Sequence, residues 1–219
     1  MMEPKTKSYR SRSGRLYEIL PAYVIAFNDD DGGVCIWTDA TEFGRAIVCH
    51  LSPVDAVIDA KQSYRAKHKC WAVPASQLPP ETFRDPDGRG MLAKVHLAWP
   101  AIGGKLLQHP RGTFATYRRA MYHVMEPPLI LAFDDIVLGE LDRLYQAAGL
   151  FAWRETYALL HDWQPERIHR AADIALKSIK TTGGKLDQCM QVALFDPEAE
   201  RWHFVPLPEA HSQFYDAMR

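Results

Sequence analysis

The chain is predicted to be an α+β protein, with antiparallel hairpins at both ends and a helical cluster in its second half. Three observations predict it. Strand-like runs flank strong turn signals at residues 16–38 and again at 190–205. Helical spacing of apolar residues dominates residues 134–182. No regular strand–helix alternation runs along the chain, as a parallel βαβ fold would require.

The first hairpin rests on the Tyr-, Ile-, Val- and Phe-rich segment 16–27 and the short run 34–38, joined by Asn28-Asp-Asp-Asp-Gly-Gly33. Asn, Asp and Gly suit such a turn because they accept positive φ or bond their own backbone. The first helix begins at Ser52-Pro53-Val54-Asp55. Ser52 is the N-cap, Pro53 fits the first helical position, and Asp55 sits where a capping-box acid would. Val54, Val57, Ile58 and Tyr64 carry the helix to about residue 67.

A short strand at 70–73 precedes a proline-bearing loop over 74–90, ended by Asp85-Pro-Asp-Gly-Arg-Gly90. A strand follows at 91–99. Residues 102–123 have no clear period, and 129–133 reads as a buried strand. Asp134 or Asp135 then caps a helix whose Val137, Leu141, Leu144, Tyr145 and Ala148 share a side, with Gly149 as its stop. A second helix is predicted over 151–163. A third starts at Pro165 and is stopped by Gly183-Gly184. The closing hairpin alternates Met190, Val192 and Leu194, turns at 196–200, and returns over 201–205.

The 219 residues are 47% hydrophobic and 24% charged, enough to bury a core without disulfides. Residues 1–13 are expected to be a mobile basic tail and 14–219 a single α+β domain. Cys35, Cys49, Cys70 and Cys189 form no C-x-x-C pair and lie in or beside apolar runs, so they are expected as reduced core thiols. The N-terminal residues lack an apolar signal region, and no apolar run approaches the ~20 residues of a membrane helix. A cytoplasmic protein with no membrane association is expected.

Motifs for chemistry are incomplete. Gly103-Gly104-Lys105 and Gly183-Gly184-Lys185 resemble the end of a phosphate loop, but Trp99 and Ile179 stand where its first glycine belongs, and Leu follows each lysine. Asp85-x-Asp87-Gly88 lacks the bidentate acid of a calcium loop, with His96 in its place. No histidines are spaced as a chelating pair, so His96, His109 and His123 could meet at a metal only through the fold. Asp134-Asp135 has a complete explanation as a helix cap. No cofactor is expected.

Charge is segregated. Residues 88–125 carry six cations (Arg89, Lys94, Lys105, Arg111, Arg118, Arg119) and no acid, interleaved with Phe114, Tyr117 and Tyr122. Residues 27–59 carry seven acids (Asp29, Asp30, Asp31, Asp39, Glu42, Asp55, Asp59) and one base, Arg45. Either the stretches neutralise each other across the fold, or they form separate faces that steer a charged partner. Arginines and aromatic rings serve protein interfaces and nucleic-acid backbones alike. A net charge of −1 disfavours nucleic acid as the partner. The leading expectation is a non-catalytic protein-binding domain, such as an immunity protein that neutralises a toxin by covering its site. Asp29, Asp30, Asp31, Arg111, Tyr117, Arg118 and Arg119 are its candidate contacts, with a cationic protein partner. The alternative is an enzyme or binder acting on nucleic acid or a phosphate compound through 88–125 and the paired aspartates.

Overall fold

The structure is a computed structural model that describes residues 9–10, 16–17, 22–41, 44–62, 69–83, 92–121 and 135–207. The predicted strand at 129–133, the turn at 85–90, Glu42, Arg89, Tyr122, His123 and Asp134 lie outside the described residues, as does most of the basic tail.

The α+β class holds. Tyr9–Arg10 (β1) pairs with Leu16–Tyr17 (β2) in a two-stranded ladder. The main sheet has 11 strands. Tyr23–Asn28 (β3) and Val34–Ile36 (β4) form the first hairpin, followed by Thr38–Thr41 (β5) and Gly44–His50 (β6). Helix Pro53–Gln62 (α1) starts as its residues dictate, with Ser52 Oγ accepting the Asp55 N–H at 3.2 Å. Cys70–Pro74 (β7) pairs antiparallel with β3. Residues 63–68 are not among those described.

Leu92–Ile102 (β8) is the spine of the sheet. It pairs parallel with β6 and antiparallel with Lys105–Leu107 (β9), Tyr117–Met121 (β10) and Gln191–Asp196 (β12). The parallel β6–β8 pair, with α1 between its strands in sequence, is a crossover the hairpin reading did not contain. Gly103 and Gly104, tested above as a phosphate cradle, are the two-residue β8–β9 turn, both with positive φ (56° and 72°).

Asp135–Ala147 (α2), Trp153–His161 (α3) and Pro165–Ser178 (α4) make the helical cluster. α4 stops earlier than Gly183-Gly184 suggested, because Ile179 is already extended (φ −94°, ψ 141°) and leads into Thr181–Thr182 (β11) beside β9. β12 and Arg201–Pro206 (β13) close the chain as the predicted hairpin.

The central strands carry a core on each face. Val192 and Leu194 of β12 join a core with Val137, Leu141, Leu144, Trp153, Tyr157 and Leu160 of α2 and α3. Ala193 and Phe195 join a second core with Val54 and Ile58 of α1 and Ala171, Ala172 and Ala175 of α4. Strand alternation divides the residues between the faces. β8 breaks its own alternation. Tyr117 pairs with Ala98 but Arg118 with His96, which leaves Leu97 as an extra residue. Val95 therefore belongs to the α2–α3 core while Trp99 belongs to the α1–α4 core.

Candidate functional site

The β3–β4 turn is served by one aspartate. Asp29 Oδ1 accepts the backbone N–H groups of Asp31 at 3.1 Å and Gly33 at 2.6 Å, and Asp29 Oδ2 faces the Cys35 thiol at 3.6 Å. The Asp29 N–H donates to Gly33 O at 2.9 Å. Asp30 and Asp31 are exposed, and their carboxylates take no hydrogen bond or ion pair among the described residues. Val34, 47% exposed, stands beside them.

β10 sends its candidate residues to opposite faces of the sheet. Tyr117 and Arg119 reach Glu140 of α2: the Tyr117 hydroxyl donates to Oε1, and Arg119 Nη1 lies 2.7 Å from Oε2. Glu140 is only 2% exposed. Arg118 turns the other way, placing Nη1 2.9 Å from Asp39 Oδ2 and Nη2 3.1 Å from Asp59 Oδ2. Lys94 Nζ adds a second cation to Asp39 at 3.3 Å. The strand thus joins Tyr117 and Arg119 at one carboxylate and separates both from Arg118. Arg111 sits exposed in the turn closed by His109 N–H to Thr113 O at 2.8 Å.

The charge stretches thus meet inside the fold through Asp39, Asp59, Lys94 and Arg118. Around them lies a buried polar cluster that the sequence reading missed. Its members come from β5, β6, α1, β8 and β10. His50 Nε2 approaches Asp59 Oδ2 at 3.2 Å, off the angle of a well-formed hydrogen bond. The His96 ring lies 4.9 Å from that of His50 and 4.4 Å from that of Trp99. The β8 bulge is what lets His96 and Trp99 share this face. Neither nitrogen of His96 has a hydrogen-bond partner among the described residues. The signal that could have revealed the cluster is Asp55 and Asp59, one helical turn apart among Val54, Val57 and Ile58.

Burial decides the protonation states. It lowers both imidazoles below their usual value; at His50 the contact with Asp59 works against the shift and Arg118 with it, and at His96 the His50 and Arg118 charges add to it while Asp59 opposes it. Burial alone would raise Asp59, but the contact with His50, then Arg118 and the imidazole charges, hold it well below the usual carboxylate range. Asp55 has no cation. Burial pushes it up to about 7, against the polar groups of Trp99, Tyr157 and Ser52. Its bond from the Tyr157 hydroxyl is 3.4 Å long, and the Trp99 N–H lies near without completing one. With His50 at 0% exposure and His96 at 4%, this cluster is a polar cross-link between elements. Its two imidazoles are closed off from solvent.

Among the described residues no three His, Cys, Asp or Glu are arranged to hold a metal ion, and no helix is long and apolar enough to cross a membrane. Comparison with protein-family models, curated proteins and solved structures returns no match for this chain.

Proposed function

We propose that this chain is a non-catalytic, cytoplasmic protein-binding domain whose acidic β3–β4 turn meets a cationic protein surface. An immunity protein that neutralises a toxin by covering its site is the concrete form of that reading. One observation carries it. Asp29 alone satisfies the turn, so the exposed carboxylates of Asp30 and Asp31 add like-charge repulsion and no bond to the fold. Charges of this kind act on the rate at which a partner of opposite sign docks. Val34 supplies an apolar contact next to them, and Arg111 remains exposed at a second turn.

Lys94, Arg118 and Arg119 point away from the phosphate alternative, since each already pairs with a carboxylate. The four free thiols support a reducing compartment.

The test is recovery of a tagged copy from its native cell. A basic protein in equal amount is expected, released by salt and retained after nuclease treatment. Generic RNA or DNA held tightly at physiological salt would reverse the ranking.

A further inference from the structure

A groove of about 320 Å3 opens between the α2–α3 corner and the β12–β13 turn. Its walls include Trp153, Phe195 and Phe151, and its rim carries Asp196 and Glu198. Phe151 is 77% exposed, an unusual position for a phenyl ring. Among the described residues, no lysine, arginine or histidine lines the groove.

Glu198 keeps an oxygen in reserve, and Asp196 holds one in a long contact. Asp196 Oδ1 accepts the N–H groups of Glu198 and Ala199 at 3.0 and 3.1 Å, while Oδ2 has, among the described residues, His203 Nε2 at 3.8 Å. Glu198 Oε2 accepts the Thr156 hydroxyl at 3.0 Å, and Oε1 has no partner among the described residues. Aromatic faces beside carboxylates with acceptor capacity to spare select a flat cation, because a guanidinium stacks on a ring while its edge bonds to oxygen. The chain already uses this chemistry next door. Arg154 places its guanidinium 5.3 Å from the Trp153 ring centre and bonds Asp142 at 2.8 Å.

We infer that the groove receives an arginine side chain from the protein partner, its guanidinium against Phe151 and its edge toward Glu198 and Asp196. This rests on the reading above, that the partner is a cationic protein. A lysine fits less well, since its ammonium neither stacks nor presents a planar fork.

The experiment titrates the isotope-labelled full chain with N-acetyl-arginine methylamide and follows the Trp153 indole and Gly149 amide NMR resonances. Saturable shifts are expected, with the neutral citrulline analogue and the blocked lysine each about tenfold weaker. Glu198→Gln should weaken the arginine probe about threefold or more and leave citrulline unchanged. Both Glu198 and Phe151 are exposed, so Glu198→Gln and Phe151→Ala should fold as the parent does. Equal binding of citrulline would show an apolar slot, equal binding of lysine a site for any cation, and absent shifts no site; each overturns the inference. If the arginine probe fails while loss of the Asp30 and Asp31 charges still slows the native partner, the groove assignment falls and the proposed function stands. If the probe binds but that charge loss does nothing, the acidic-turn reading falls instead.

Discussion

Two groups of aspartates from the same acidic stretch end in opposite surroundings. Asp30 and Asp31 stand in solvent on the β3–β4 turn, whereas Asp55 and Asp59 are 7% and 4% exposed on α1. The helix is buried along residues 53–60, so its acids have no polar face to occupy. A buried carboxylate must find compensation, and the two find different kinds. Asp59 has Arg118 and His50 and stays charged. Asp55, one turn away, has hydroxyl and indole groups beside it and no cation among the described residues, and burial, with the Asp59 charge, pushes it up to about 7. Composition fixes how many charges a stretch carries; register decides which of them a partner can meet.

The largest expected effect breaks this contrast at its buried end. Asp59→Ala removes the carboxylate that pairs with Arg118 Nη2 and faces His50, and leaves a largely buried guanidinium with Asp39 as its partner. A loss of about 2–3 kcal/mol is expected in urea unfolding, against about 0.5 kcal/mol or less for Asp30→Ala. A loss under about 1 kcal/mol for Asp59→Ala would mean the cluster is dispensable.

Asp55 sharpens the contrast through pH. Its folded value near 7 lies above the ordinary 3.8, so between those values the native state holds a proton the unfolded chain has released. This carboxyl therefore contributes stability at low pH that is lost as pH rises through the window, by at most about 1.4 kcal/mol per unit. Asp55→Asn removes that slope. The variant's stability relative to the parent should climb from about pH 4 to 7 and level off above it. His50 and His96 act oppositely, destabilising the fold as pH falls below 6.5, but they do so in both proteins and cancel in the difference. A flat difference across the window would mean that Asp55 is ionised in the fold.

The fold was legible where signals were local. Ser52 and Pro53 set the start of α1, Asn28 to Gly33 set the first turn, and alternation set β12 and β13. What escaped depends on distant strands. The bulge at Leu97 exists only relative to β10, and it decides that His96 and Trp99 face α1. The end of α4 at Ser178, ahead of the glycines, reflects the pairing of β11 with β9. Arg118 and Arg119 read as neighbours in one basic stretch because residues 102–123 have no clear period. Once β10 is a strand, alternation sends them to Asp59 and Glu140 on opposite faces. Asp30 and Asp31 keep the exposed turn position that the sequence assigns them, because sequence distance and spatial distance agree there.

The smallest effect on stability is the most informative about function. Asp30→Asn with Asp31→Asn keeps side chains that suit a turn and leaves the Asp29 bonds to Asp31 and Gly33 in place. Unfolding free energy should stay within about 0.5 kcal/mol of the parent. Asp29→Ala should instead lose about 1 kcal/mol, since it removes the acceptor of two backbone N–H groups. Association with the native partner should reverse that order. The double asparagine variant should bind more slowly and with a weaker salt dependence, because two steering charges are gone while contact shape is kept. Stopped-flow association at several salt concentrations separates the outcomes. An unchanged rate and salt slope would return Asp30 and Asp31 to plain solvated turn. A changed dissociation rate with an unchanged association rate would place them inside the contact and refute their role as steering charges.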